Sequence, residues 1–340
     1  MNRILPISSI RFVLASWVVL SHFRFPVLVE HQQDKLLWIV RAFLNNLANG
    51  PAAVIVFFVI SGFCIHFPNR QRLEIPSWKL YYARRYLRIL IPMTVAIALS
   101  VPLHMQFGLF TNSILWSLLC EEIYYFLYPA LLVVRDRIGW GKLMALAWFF
   151  AVLTILTNPG ARDYPAYGPY LNWVLGLPCW LLGCRLAENL DRFASLPVSR
   201  RQIWIWRAGA WALSILASVL VFHSPVGLPW SLSLFAIYGS WWLEREIRYY
   251  RASNRVPIFE NLGEASYSIY LTHTHGPAIL FALGISKFLS PALSWSCEMA
   301  MCAAFATVFY WFVERPSHRL ARRVSRQASW LRVASAASAP

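Results

Sequence analysis

Long apolar runs separated by short polar segments dominate the chain. A helix needs about 20 mostly apolar residues to cross a bilayer, and runs of about that length recur from one end of the sequence to the other. The runs are too continuous for barrel strands, and only helices or closed barrels can span a bilayer. The pattern therefore predicts an all-α, polytopic transmembrane helical bundle. We predict about ten transmembrane helices, at about 6–24, 50–67, 87–104, 112–134, 142–157, 169–187, 208–223, 228–244, 266–285 and 291–313.

The loops between these helices alternate between many and few basic residues. Because cytoplasmic loops carry the excess of Lys and Arg, the richer loops and both termini are predicted to be cytoplasmic. That topology needs an even number of helices, which ten satisfies. The richer set consists of Arg70, Arg72, Lys79, Arg84, Arg85 and Arg88, then Arg135, Arg137 and Lys142, then Arg192, Arg200, Arg201 and Arg207, then Arg245, Arg248, Arg251 and Arg255.

Two segments of unequal size follow from this pattern. Residues 1–316 form the predicted transmembrane domain, and Pro316 ends its last helix because proline cannot continue a helix ladder. Residues 317–340 are basic and rich in Ala and Ser at their end. We expect them to form a cytoplasmic tail that is partly disordered.

Composition supports a membrane protein and narrows its partners. Of the 340 residues, 58% are hydrophobic and 14% are charged, against about 45–50% and about 25% in soluble domains. The net charge of +16 is explained by the cytoplasmic loops, so no nucleic-acid partner is predicted. The six cysteines form no CxxC pair, and neither HExxH nor a Cys/His ligand spacing occurs, so we predict no metal site.

Ionisable residues inside the predicted spans are few, and such residues usually mark function because burying them in lipid is costly. Arg11 and His22 lie on the first helix, and eleven steps of 100° return to nearly the same face. Their separation is about 16 Å along the axis, so both can face one cavity. Each residue considered alone also has a structural explanation. Arg11 can anchor the helix at the membrane interface, and His22 can be an interior histidine whose hydrogen bonds are made within the bundle.

A pair of carboxylates, Glu121 and Glu122, lies within the fourth predicted span. Adjacent helix positions point about 100° apart, so one of the two is expected to face the cavity. A buried carboxylate beside a histidine fixes its tautomer and stabilises its protonated form, so we predict that one of the two carboxylates contacts His22 and strengthens it as a base. The alternative is that these carboxylates hold neighbouring helices together through polar contacts.

A basic run covers residues 79–88, at the predicted cytoplasmic rim. Its arginines suit two roles. They can control topology and contact anionic lipid, or they can bind a ligand with several phosphates through their planar donor forks. The predicted phosphate-binding residues are Arg84, Arg85 and Arg88.

Several short motifs in these same segments resemble the acyltransferase-3 family of bacterial integral-membrane O-acyltransferases. Each motif is weak alone, but their order and spacing extend over almost the whole chain. The motifs are the Arg-x10-His pair of Arg11 and His22, FFVISGF at 57–63, RRYLRILIP at 84–92, WSLxxE at 116–121, YSIYLTH at 267–273 and ERP at 314–316. Thr272 and Thr274 stand where aromatic residues are frequent in the family.

The resemblance implies an enzyme that moves an acyl group, in the first place acetyl, from cytoplasmic acyl-CoA to a hydroxyl of a cell-surface or exported glycan. Acyl-CoA is then a co-substrate, and no permanently bound cofactor is implied. Arg11 and His22 become an essential pair, with Glu121 as the matching acid. Ser61, Tyr267, Ser268 and His273 are expected to contact substrate. The implied location is the bacterial inner membrane, in contact with lipid.

Several alternatives stay open at this point. Buried His and Glu side chains also serve proton relays, so a transporter or flippase of a glycan precursor is the alternative function, and a membrane sensor without activity is a third. The acceptor can be lipopolysaccharide, capsule, peptidoglycan or a secreted oligosaccharide. Direct transfer with His22 as general base and a covalent acyl-histidine are both compatible with the sequence, which also leaves acyl length and oligomeric state open.

Overall fold

Helices account for nearly all of the chain that the structure describes, and this part contains no strand. The structure is a computed structural model that describes residues 6–23, 35–70, 77–107, 113–192, 197–253 and 257–324. The helices are α1 (Ile7–His22), α2 (Lys35–Asn46), α3 (Gly50–His66), α4 (Trp78–Ser100), α5 (Leu115–Thr157), α6 (Gly168–Asn189), α7 (Arg200–His223), α8 (Leu228–Ser253), α9 (Ser266–Thr272), α10 (His275–Ala282) and α11 (Pro291–Phe309). The predicted all-α class is therefore confirmed.

Within the described part of the chain, four helical stretches are long and apolar enough to cross a membrane, and α1 is a shorter apolar helix. The four are Phe43–Asn69, Leu115–Thr157, Arg200–His223 and Pro291–Val324. The count of ten spans and the cytoplasmic termini stay predictions.

The prediction that Pro316 ends the last helix is wrong, because the helix continues to Val324. A π-helical turn at Tyr310–Glu314 precedes the proline, and such local adjustments allow a membrane helix to accommodate it. Residues 325–340 of the predicted tail lie outside the described residues.

Helix boundaries differ from the predicted spans in several places. The basic run at 79–88 is helical, because Ser77 caps α4 by accepting a hydrogen bond from the Leu80 amide. The predicted spans at 112–134 and 142–157 are two helices that follow each other within α5 and are divided at Gly139, where φ is 79° and the backbone leaves the helical region. A helix that the hydropathy pattern missed, α2, covers part of a predicted outer loop.

The apolar helix α3 forms the centre of the bundle, packed against α1, α6 and α8. Nearly every residue along it is buried, as expected for a helix that is apolar on all sides. Two glycines bring α3 and α6 into backbone contact. A Cβ at Gly62 would lie 1.9 Å from the Trp180 carbonyl oxygen, and one at Gly183 would lie 1.9 Å from the Val59 carbonyl oxygen.

The predicted span at 266–285 is broken into α9 and α10 by a turn at His273 and Thr274. Pro277 explains the break, because it has no amide hydrogen to donate to the carbonyl four residues earlier, that of His273. Gly276 lets the start of α10 approach α11, since a Cβ there would lie 2.7 Å from the Met301 carbonyl carbon. The break thereby places the polar side chains of His273 and Thr274 inside the helical bundle.

Candidate active site

A cavity in the bundle is lined by three arginines, and we call it the arginine cavity. Arg11 from α1 and Arg85 and Arg88 from α4 line it, and it encloses about 930 Å³ of empty space, counting the part open to solvent. Arg88 donates to His318 Nε2 over 3.0 Å. Among the described residues no hydrogen bond or ion pair holds Arg11, so its guanidinium is available to an anion.

A single carboxylate and a cluster of hydroxyls share this cavity with the three arginines. Glu121 lines the arginine cavity, and its polar neighbours include Arg11, Ser61 and Tyr125. The Ser61 hydroxyl lies 2.8 Å from the Tyr125 hydroxyl and accepts from the Trp180 indole over 3.2 Å. Glu122 does not line the cavity, so the two adjacent carboxylates point to different surroundings, as their helical spacing predicts.

The second cavity is lined by His22, and we call it the histidine cavity. Ser21 and His22 of α1, Trp116 of α5 and Thr274 at the helix break lie on its wall. The Nδ1 atom of His22 lies 2.8 Å from the Val18 carbonyl oxygen. A carbonyl oxygen only accepts, so Nδ1 carries the hydrogen and the Nε2 atom of a neutral His22 has a free lone pair. A backbone carbonyl thus fixes the tautomer that a general base requires.

His273 lies directly beside His22, with their ring centroids 4.7 Å apart. Its Nδ1 atom lies 2.7 Å from the Tyr270 carbonyl oxygen, so it is fixed in the same tautomer as His22. The residue is fully buried, and its Nε2 atom has no hydrogen-bond partner among the described residues. The hydroxyl of Thr274, on the wall of the histidine cavity, also has none. The helix break therefore supplies unused polar atoms next to His22.

The arginine and histidine cavities adjoin each other along a thin wall. Val54 of α3 and Tyr270 of α9 are the residues that line both. The Tyr270 hydroxyl lies 2.5 Å from Ser117 Oγ and donates to the Ile114 carbonyl over 3.1 Å. Arg11 and His22 thus lie on one helix face, as predicted, but in two neighbouring cavities rather than in one.

The structure does not bring Glu121 to His22. No hydrogen bond or ion pair joins these two side chains, which the structure describes in full, and Glu121 faces Arg11 in the arginine cavity. The reason is that α1 presents His22 to the histidine cavity, which Glu121 does not line. The predicted contact between them is replaced by the Val18 carbonyl.

The other predicted site residues divide into those that reach a cavity and those that do not. Tyr267 lines the arginine cavity and donates to the Ile89 carbonyl over 3.1 Å. Arg84 is exposed and lines neither cavity. Ser268 is fully buried, and its amide and hydroxyl donate to Glu314 over 3.0 and 2.5 Å. The ERP glutamate therefore caps α9, with a carboxylate at a helix start as electrostatics favours.

Two features near the arginine cavity escaped the sequence analysis. The side chain of Cys64 is exposed and lines this cavity, whereas four of the six cysteines are buried. His66 is fully buried and lies 2.8 Å from both the Tyr128 hydroxyl and Glu188 Oε1. Neither residue lies in a recognisable motif. A lone His or Cys at the end of an apolar run is a sequence signal that could have identified both.

Comparison with known proteins identifies the family. Residues 7–315 match the family model described as an acyltransferase domain, Acyl_transf_3. The chain belongs to the acyltransferase-3 family. This match spans the acyltransferase from α1 to the residue after Glu314, so it includes both cavities. No match was found among the curated proteins or among the solved structures.

The acyltransferase is a multi-pass membrane protein, as its family and its long apolar helices indicate. Within its described residues, no group of three or more His, Cys, Asp or Glu side chains is arranged to hold a metal ion.

Proposed function

We propose that this acyltransferase transfers an acetyl group from cytoplasmic acetyl-CoA to a hydroxyl of a cell-surface or exported glycan, at the inner membrane of a bacterium. The observation that carries the proposal is the pair of adjoining cavities. One holds three arginines suited to an anionic donor, and the other presents the free lone pair of His22.

The arginine cavity suits the donor because coenzyme A carries several phosphates. Arg11, Arg85 and Arg88 face a common space, and arginine forks bind phosphate through paired, charge-assisted hydrogen bonds. The apolar side of the same cavity, with Phe57, Ile60 and Leu118 among its residues, can accommodate the pantetheine arm. We assign the basic end of α4 to the cytoplasm because the neighbouring loop carries basic residues.

The histidine cavity suits the glycan because aromatic and polar side chains share its wall. Trp116 and Phe107 offer apolar ring surfaces, and Gln106, Ser113 and Thr274 offer hydrogen-bonding groups. Pockets of this kind orient a ligand with a few polar contacts on an apolar lining. The hydroxyl of Thr274, which lines this cavity and has no partner among the described residues, can pair with a sugar hydroxyl.

Transfer then proceeds by general base catalysis. His22 Nε2 takes the proton of the acceptor hydroxyl while that oxygen bonds to the thioester carbonyl carbon. The carbon–sulfur bond breaks next, and the coenzyme A sulfur leaves and takes the proton back from His22. The sum is one ester formed and one free thiol released. A positioned base of this kind accelerates such a step by about 10²–10⁴-fold.

Cys64 provides a direct assay of donor binding. Because its side chain is exposed within the arginine cavity, N-ethylmaleimide should alkylate it, and bound coenzyme A should slow that reaction. A Cys64→Ser variant gives the background from the other cysteines. Unchanged alkylation at saturating coenzyme A would show that the donor binds elsewhere.

Mass spectrometry of surface glycans tests the acceptor. A strain that lacks the gene should lose an acetyl substituent, and the wild-type gene should restore it while His22→Ala should not. Movement of an unmodified glycan precursor across the membrane, with no change in acetylation, would instead support the transporter alternative.

A further inference from the structure

The wall between the two cavities separates the proposed donor site from His22. Val54 and Tyr270 line both cavities, and each is only 7% exposed. A thioester bound among the arginines must pass between these two residues before an acceptor held by His22 can reach it. The wall therefore lies on the path of the reaction.

Tyr270 is anchored to both sides of this wall. Its hydroxyl contacts Ser117, which lines the arginine cavity, and the carbonyl of Ile114, which lines the histidine cavity. Its ring packs edge-on against Phe57, with centroids 5.9 Å apart, and lies 6.3 Å from the ring of His273. Movement of this one side chain would therefore change the shape of both cavities.

Val54 forms the rigid side of the wall. It lies on α3, the helix at the centre of the bundle, where its neighbours Ala53 and Ile55 are fully buried. A β-branched side chain on a helix is largely confined to one rotamer, and the surrounding core leaves the backbone little freedom to move. The size of the side chain at position 54 thus fixes the width of the passage on this side.

We propose that Val54 and Tyr270 form a gate that admits the acyl end of the donor to His22, and that the side chain at position 54 limits the length of the acyl group. The gate rests on the proposed function, since it presupposes a donor in the arginine cavity. Tyr270 is its movable half, and Val54 is its fixed half. A short acyl group passes, a longer one is obstructed, and water is kept from the thioester until an acceptor is bound.

The gate is tested by changing its width in the purified full-length protein in nanodiscs. Val54→Ala should raise the ratio of butyryl-CoA to acetyl-CoA turnover by about tenfold or more, because each methylene in an apolar pocket is worth about 10–200-fold in discrimination. Val54→Trp should abolish transfer of both groups. Val56→Ala is the matched control, since Val56 lies buried on the same helix but lines neither cavity.

Protection of Cys64 by coenzyme A separates the two proposals. The gate predicts that Val54→Trp loses transfer while coenzyme A still protects Cys64 from alkylation. An unchanged chain-length ratio in Val54→Ala, with coenzyme A still protecting Cys64, would overturn the gate and leave the donor site standing. Failure of coenzyme A to protect Cys64 in the wild type would instead overturn the donor site on which the gate rests.

Tyr270→Phe tests the movable half. It keeps the ring but loses the hydroxyl that contacts Ser117 and the Ile114 carbonyl. We expect hydrolysis of acetyl-CoA without acceptor to rise severalfold, because the loosened gate admits water to the thioester. Hydrolysis at the wild-type rate, in a variant in which coenzyme A still protects Cys64, would show that Tyr270 does not gate the passage.

Discussion

The side chain of His66 should stabilise the contact between α3, α5 and α6. It is fully buried at the end of α3, and it joins Tyr128 of α5 to Glu188 of α6. Glu188 also accepts hydrogen bonds from Arg135 and Trp140 over 2.7 and 3.3 Å. We predict that His66→Ala destabilises the protein without touching the chemistry at His22.

The magnitude follows from the two hydrogen bonds that are lost. A carboxylate only accepts, so Nε2 donates to Glu188 and Nδ1 of the neutral ring accepts the Tyr128 hydroxyl. Losing a hydrogen bond to a charged group costs about 1.5–3 kcal/mol, and leaving the buried Tyr128 hydroxyl without His66 costs about 1–3 kcal/mol. At an unfolding entropy of about 2.1 cal/mol/K per residue, the sum lowers the unfolding midpoint by about 4–8 °C.

The buried cysteines provide the assay. Cys120, Cys179, Cys184 and Cys302 are buried, so a thiol-reactive dye reports their exposure as the purified protein unfolds on heating. His223→Ala is the matched control, because His223 is exposed at the end of α7. His66→Gln should recover part of the loss, since an amide can both donate and accept. A midpoint for His66→Ala equal to that of His223→Ala would refute the reasoning.

Three further predictions follow from the packing and charge of the same helices. Arg88→Ala should weaken the protection of Cys64 by coenzyme A about 10–100-fold, because a hydrogen bond to a charged group is worth about 1.5–3 kcal/mol. Arg84 is exposed, so Arg84→Ala should change this protection much less. Equal effects of the two substitutions would contradict the assignment of Arg88 to the donor site. Gly183→Val should prevent folding, because a Cβ there would lie 1.9 Å from a carbonyl oxygen of α3, while Gly141→Ala, with open space around it, should express and elute as the wild type does. Glu314→Gln should lower the unfolding midpoint through weaker capping of α9, and an unchanged midpoint would exclude that role.

Hydropathy was sufficient to predict the helical class and most helix positions. Apolar runs of spanning length have few other solutions in a bilayer, so α1, α3, α6 and α7 lie close to their predicted ranges. Local backbone effects were harder to foresee. The break at His273 depends on Pro277, and the bend in α5 depends on Gly139, where φ is 79°. The break at His273 lies inside a stretch predicted as one span, 266–285, whereas Gly139 lies in the predicted loop between the spans at 112–134 and 142–157.

Three residues that line the cavities could be picked out from the sequence, but their arrangement could not. Arg11, His22 and Glu121 stand out because ionisable side chains are rare in apolar runs, and all three line a cavity. Their mutual contacts depend on how α1 and α5 pack, which helical periodicity alone does not determine. The carbonyl of Val18, which fixes the tautomer of His22, carries no sequence signal at all, because every residue has a carbonyl.

The central claim is that His22 acts as the base on one side of a wall while the donor binds on the other. It is tested most directly by single-turnover transfer from labelled acetyl-CoA in the His22→Ala variant, measured together with alkylation of Cys64. We predict that transfer falls by about 10²–10⁴-fold while coenzyme A protects Cys64 as well as in the wild type. Transfer at the wild-type rate, or loss of Cys64 protection together with transfer, would contradict this account.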